Sequence, residues 1–361
     1  MCASMTAPTR YRAAGLSPCD ATTFSAAHAA PLVLIDPSIP RDMAQSGMTR
    51  ATARGQTMGS FWRVHVWGAP YLPDPAPIVA QACHDTIALF SPWRRDSALS
   101  RFNHAARGWH QVPGDVLALL RRAIAICDAS QGRFDPSLGR LNDLWGFGPS
   151  GRVTHPPARG ALAQARAASG RHQLRIRDDG CLWQPGGLWL DFGGMAKGWA
   201  VDRASAMLTA AGLHVHLITI GGEVAAHGLS PEAQPWWIAL DAPPGADMTA
   251  MRVGLHHGAL AGSGDWVRRC GPLDGGWSHT LDPDTGRPCT GAVTAVHVAH
   301  PNAALADAWA SALMAMPADT VLRAAADNDL SAVILMRQPG GDVTRHLIGL
   351  DAWQEDSGWI C

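Results

Sequence analysis

From Gln56 onward, segments with an apolar residue at every second position and segments with one at every third or fourth position follow each other in no regular βαβ rhythm. That irregular mixture predicts an α+β fold, mixed sheets with helices packed on them. Residues 61–67 alternate and read as a strand. Residues 78–90 place Val79, Cys83, Ile87 and Phe90 at helical spacing. Residues 115–130 do so more strongly, through Val116, Leu119, Leu120, Ala123 and Cys127, with Gly132 soon after as a stop. Beyond a Pro/Gly-rich link at 149–160, residues 174–176 and 182–183 read as short strands about an Asp179-Gly180 turn signal. Residues 198–211 read as a helix closed by Gly212, 215–220 as a strand running into Gly221-Gly222, and 303–316 as a helix stopped by Pro317. Residues 236–240, 292–299 and 332–336 are further strands.

Residues 1 to about 55 carry Ala, Ser, Thr and Pro without sustained periodicity. Such a segment cannot bury enough apolar surface to offset ordering entropy, so a disordered N-terminal tail is expected there, before one domain over 56–361. Met43, Met48 and Met58 could each be the true start. On this reading a chain starting near Ala53 keeps its stability. The competing reading makes Leu-Val-Leu-Ile at 32–35 an edge strand whose removal is felt.

The chain has 361 residues, 47% of them hydrophobic, enough for a large core. Most of its 15 Trp read as core. Its formal net charge of −1 provides no basic field to hold a phosphate polymer, which argues against nucleic acid as a partner. No apolar run approaches the ~18 residues of a transmembrane segment. Neither a secretory signal nor a Cys placed directly after an apolar run is evident, so a cytoplasmic location is expected. The eight Cys are scattered without a C-x-x-C pair, which predicts free thiols rather than a zinc site or a disulfide framework.

Four segments carry potential chemistry. Gly132-Arg133-Phe134-Asp135-Pro136 follows a helix and could be no more than its exit turn. Leu190-Asp191-Phe192-Gly193-Gly194-Met195-Ala196-Lys197-Gly198 sets a carboxylate and a glycine pair at the mouth of a helix. Free N–H groups and the helix dipole favour an anion there, glycine lets it approach, and Lys197 adds positive charge. The spacing is not that of a Walker A loop. The third segment joins Gly262-Ser263-Gly264-Asp265 to Ser278-His279-Thr280-Leu281-Asp282-Pro283-Asp284-Thr285-Gly286. There a strong turn signal adjoins a histidine that could serve as a base near neutral pH. In the fourth, Asp307 and Ser311 lie four apart and share one helix face. Their hard oxygens suit Mg²⁺, although a plain polar stripe beside Leu305, Trp309, Ala312 and Met316 has the same spacing.

Taken in order, with Met58-Gly59-Ser60-Phe61-Trp62 and Asp96-Ser97-Ala98-Leu99-Ser100-Arg101-Phe102-Asn103 ahead of them, these segments resemble the ApbE family, the FAD:protein FMN transferases. The likeness runs from near Met58 to near Met316. It implies Asp191 and Lys197 at FAD, and metal held by the Gly194 carbonyl with Asp307 and Ser311. It also implies Met58, Arg133, Phe134 and Asp135 in flavin binding, Trp93 at the isoalloxazine, and His279 and Leu281 near the substrate. Three departures stand out. Ser311 replaces the usual Thr and keeps the hydroxyl. Trp93 replaces the usual Tyr, so it can stack but has no phenol oxygen. Gly262-Ser263-Gly264 replaces a common Thr-Ser-Gly and lacks one hydroxyl.

The resemblance implies an Mg²⁺-dependent phosphoryl-type transfer. A Thr or Ser hydroxyl of an acceptor flavoprotein attacks the FMN-side phosphorus of FAD, and AMP leaves. His279 is the candidate base, while Asp282 could take that role or orient His279. Two other readings remain open: a pyrophosphatase splitting FAD to FMN and AMP, and a non-catalytic FAD-binding protein.

Overall fold

The computed structural model describes residues 32–39, 47–272 and 275–353. In chain order its strands and helices begin β1 (Leu32–Ile35), β2 (Thr49–Thr57), β3 (Ser60–Gly68), α1 (Pro75–Phe90), α2 (Ala98–Asn103), β4 (Gly108–Gln111), α3 (Gly114–Ala129), α4 (Gly139–Leu144), α5 (Arg159–Ala167), β5 (Cys181–Gln184), α6 (Ala196–Ala210), β6 (Val215–Ile220) and β7 (Glu223–His227). They continue β8 (Trp236–Leu240), β9 (Met251–Leu255), β10 (His257–Gly264), β11 (Arg269–Cys270), β12 (Trp277–Ser278), β13 (Leu281–Asp282), β14 (Arg287–Pro288), β15 (Val293–His300), α7 (Ala303–Met314), α8 (Val321–Asp327), β16 (Ser331–Arg337) and β17 (Val343–Ile348).

Eight strands form one antiparallel sheet in the order β17-β16-β15-β10-β7-β6-β3-β2. Alternation along its strands feeds two cores. From β6, Ile218 and Ile220 join Val64 and Val66 of β3 against Val79, Ala82 and Cys83 of α1 and Ala200, Val201, Ala204 and Leu208 of α6. Val215 and Leu217 of the same strand turn the other way and meet Trp236, Leu240, Met251 and Val253 of a second sheet, ordered β1-β9-β8. Helices, the large sheet and the small sheet thus form three layers, the α+β architecture expected from the irregular rhythm.

Local chemistry fixes the helices that matter for function. Asp74 accepts the Ala76 N–H at 2.9 Å and precedes Pro75 at the first position of α1. Asn302 accepts the Leu305 N–H at 3.0 Å as the cap of α7. Asp202, within α6, accepts the Ala303 and Ala304 N–H groups at 2.8 and 3.0 Å, so one helix caps the next. Gly198 makes that approach possible, since a Cβ there would lie 2.3 Å from the Ala303 carbonyl oxygen.

Two expectations are corrected. Residues 32–35 and 49–55, assigned to a disordered tail through residue 55, are strand. Leu32–Ile35 pairs in parallel with β9, and Thr49–Thr57 pairs with β3 along its whole length. The short Leu-Val-Leu-Ile run buries Val33, Leu34 and Ile35, while β2 is polar because it is the exposed edge of the large sheet. The rest of that expected tail, 1–31 and 40–46, lies outside the described residues. Secondly, residues 174–176 form no strand. The 179–180 turn closes through Arg177 and Cys181, but β5 takes β4 as its ladder partner and touches the earlier segment only by an Ile176–Leu182 bridge. Among the described residues, no helix is long and apolar enough to cross a membrane. Five of the eight cysteines, Cys83, Cys127, Cys181, Cys270 and Cys289, are described, and all are free thiols.

Candidate active site

The glycine-bearing segment before α6 is folded by its own carboxylate. Asp191 Oδ1 accepts the Gly193 N–H at 2.6 Å, and Oδ2 accepts from Asn142 Nδ2 of α4 at 2.7 Å. Phe192 and Met195 are buried on either side of the glycine pair, which anchors the turn while Gly193 stays exposed. Gly194 lies against α7 and the 133–135 segment: a Cβ there would sit 2.7 Å from Ser311 Oγ and 3.2 Å from Phe134 Cε2. Three residues singled out in separate stretches of sequence are therefore neighbours.

Asp307 is 4% exposed, one helical turn before Ser311, and its Oδ2 faces the Gly198 N–H at 3.4 Å. Burial pushes its carboxyl well above the usual carboxylate range. The Lys197 ammonium opposes that shift and the Glu223 carboxylate reinforces it. Lys197 is ion-paired to Glu223 Oε1. Glu223 follows the Gly221-Gly222 turn, and a Cβ on Gly221 would lie 2.9 Å from Lys197 Cδ and 3.8 Å from Ser60 Oγ. The β2–β3 turn thus reaches the same cluster, with Met58 and Gly59 both at positive φ, 47° and 69°. Such backbone suits a two-residue hairpin and is unfavourable for methionine.

His279 stands between β12 and β13, its ring 6.2 Å from that of Phe147. Burial, then the charges of Arg268 and Lys197, push the imidazole down to about 3, so it is neutral at physiological pH. Its Nδ1 is buried without a hydrogen-bond partner. Asp282 does not supply one. Its Oδ1 accepts from Arg133 Nη1 at 3.0 Å and the Asp284 N–H at 3.1 Å, and its Oδ2 accepts from Thr285 Oγ1 at 2.8 Å. Asp282 thus builds the turn and holds Arg133, which also pairs with Asp284 at 2.8 Å, and it makes no hydrogen bond to His279.

Several other expected residues take structural positions. Asp135 Oδ1 accepts from the Ser137 N–H and hydroxyl, and its Oδ2 from the Arg171 N–H. Leu281 is buried with Leu138, Leu141 and Trp145 in a small satellite core. Trp93, 57% exposed, lies between α1 and α2. The 262–264 run is interior strand; a Cβ on Gly262 would come within 2.8 Å of His297 Nδ1, so packing explains that glycine. The sequence reading missed Glu223 and Asn142. A second glycine pair followed by a carboxylate was the available signal for Glu223.

The donors present fit a hard divalent cation. A buried carboxylate, a hydroxyl one turn on and adjacent backbone at Gly194 offer oxygen only, and the site sets two buried carboxylates, Asp307 and Glu223, about Lys197.

A buried, oxygen-lined cluster beside a glycine-bearing helix start, carried on this three-layer α+β frame, has the groups to bring an anion and a hard cation together. The chain belongs to the ApbE family, whose model matches residues 58–334. It is 29% identical over 342 residues to a protein of Klebsiella pneumoniae (strain 342) named FAD:protein FMN transferase, covering 90% of each chain. The solved flavinyl transferase ApbE of Pseudomonas stutzeri, apo form, superposes with a TM-score of 0.77 at 31% identity, over 86% of this chain and 97% of that one. The flavin transferase ApbE of Vibrio cholerae gives 0.76 at 27% identity, over 85% and 99%. The chain is an enzyme of the transferase class.

Proposed function

We propose that this protein transfers FMN from FAD to a Ser or Thr hydroxyl of an acceptor flavoprotein and releases AMP. One observation carries the reading: Gly194, Lys197, Asp307 and Ser311, from two distant stretches of sequence, converge at the start of α6, with the neutral His279 within electrostatic reach of Lys197. In the reaction the acceptor oxygen bonds to the FMN-side phosphorus, the bond from that phosphorus to the bridging oxygen breaks, and AMP departs with the electron pair. His279, whose Nδ1 has no hydrogen-bond partner, is the candidate group to take the hydroxyl proton. Lys197 and the N–H groups at the mouth of α6 hold the diphosphate, and Asp191 and Asn142 keep the glycine turn in place beneath it. Asp307, Ser311 and the Gly194 backbone would hold Mg²⁺, which when bound offsets diphosphate charge. Met58, Trp93, Arg133 and Phe134 are assigned to the flavin on the family resemblance.

Incubation of the full chain with FAD tests this. AMP should appear with Mg²⁺ and stop on chelation, and its release should depend on a candidate acceptor. AMP and free FMN formed equally well without acceptor would make the enzyme a pyrophosphatase, and no AMP at all would leave an FAD-binding protein.

A further inference from the structure

Glu223 is used by no step above, yet its side chain is only 2% exposed. A buried carboxylate is costly unless its oxygens are met by donors. Oε1 accepts from Lys197, whereas Oε2 is buried with no hydrogen-bond partner. The space beside it is kept open by glycine: a Cβ on Gly221 would stand 3.4 Å from Oε2 and 2.9 Å from Lys197 Cδ. Lys197 precedes Gly198, whose N–H faces Asp307, so Glu223, Lys197 and Asp307 form one continuous cluster. The donor that Oε2 lacks must be small and must belong to whatever fills the cluster. Water coordinated to a hard cation meets both demands, because Mg²⁺ retains several waters and orients them on nearby carboxylates.

We propose that Glu223 is an outer carboxylate of the cation site: Oε1 fixes Lys197, and Oε2 accepts a hydrogen bond from water bound to the cation held by Asp307 and Ser311. The inference rests on the cation reading above, and the test separates the two. Mg²⁺ alone is titrated into the full-length protein by calorimetry, and thermal melts confirm that each variant is folded. Wild type should bind Mg²⁺ and Asp307→Ala should lose it; equal binding by the two, or none by wild type, overturns the cation reading and this inference with it. Glu223→Gln should weaken Mg²⁺ by about tenfold to a hundredfold, the usual cost of losing an outer-shell partner. The same weakening should persist when Lys197→Met is the background. Wild-type affinity in Glu223→Gln, or a loss that vanishes in the Lys197→Met background, would show that Glu223 only tethers Lys197. Glu223→Asp, which keeps the charge on a shorter arm, should fall between wild type and Glu223→Gln and serves as the test if Glu223→Gln does not fold; full wild-type affinity in both folded variants counts against the proposal.

Discussion

Asp307 is the carboxylate on which the proposed cation site depends. Replacing it by Ala should lower Mg²⁺-dependent AMP release from FAD more than about a hundredfold, the scale for a lost metal ligand. Ser311→Ala should be milder and Ser311→Thr nearly silent, since the hydroxyl beside Gly194 is retained. Normal turnover by Asp307→Ala would remove the cation site from the account. For His279→Ala, transfer at saturating FAD should fall by roughly a hundredfold to ten-thousandfold, with FAD affinity little changed. A pure loss of affinity would make His279 a binding residue. The members of this cluster sit in short segments of unusual composition, but the four-residue spacing of Asp307 and Ser311 suited a plain polar stripe equally well, and only the family resemblance pointed it toward a cation. Glu223 has no periodic signature at the start of its strand, and its one mark, the Gly221-Gly222 pair ahead of it, was passed over. Asp282 stood out through its turn sequence, and in the structure its oxygens accept from that turn.

Between elements, the contact of α6 with α7 sets the geometry of the site. Asp202 caps α7, Gly198 lets the two backbones meet, and the Gly198 N–H faces Asp307. Gly198→Ala should therefore cost about 1–3 kcal/mol or more, as overpacking against rigid backbone does, and lower the melting temperature by several degrees. Mg²⁺-dependent turnover should fall with it, because Asp307 moves away from Gly194. A variant with wild-type melting and turnover would show that the helices do not need this approach. The longer helices and strands β3, β6, β8, β15 and β16 were readable from periodicity: β6 matches its expected span, and α1, α3, α6 and α7 differ from theirs by a few residues at most. Strands β7, β9 and β10 were not. Their sequences are Glu-Val-Ala-Ala-His, Met-Arg-Val-Gly-Leu and His-Gly-Ala-Leu-Ala-Gly-Ser-Gly, and small residues and glycine erase alternation where neighbouring layers press closely.

The whole molecule depends on its first strands and on its buried histidines. Because β1 completes the small sheet and β2 the edge of the large one, a chain starting at Ala53 should melt several degrees lower than the full chain, at a cost of order 1–2 kcal/mol or more; equal melting temperatures would return these residues to a dispensable tail. Acid should also destabilise the fold before most carboxylates titrate. Burial pushes His65 and His216 down to about 4 and His279 to about 3, against 6.5 in the unfolded chain. Below pH 6.5 the unfolded state therefore binds protons that the native state refuses at these histidines, which lowers stability as pH falls toward 4, while the carboxyls of Asp307, Asp202 and Asp241, raised by burial, take up protons in the native state and offset part of that loss. The melting temperature should fall across that window in Asp307→Asn, which removes the largest opposing group; a flat profile in that variant would contradict the buried, neutral histidines.

Joining FMN covalently to a partner's hydroxyl adds a fixed mass to the acceptor, and intact-mass measurement of the acceptor reads that directly. After incubation of the full chain with FAD, Mg²⁺ and a candidate acceptor flavoprotein, the acceptor should be heavier by one FMN less one water, with one AMP released per acceptor modified and no mass gain when the acceptor Ser or Thr is replaced by Ala. An acceptor of unchanged mass while AMP and free FMN accumulate would contradict the transfer.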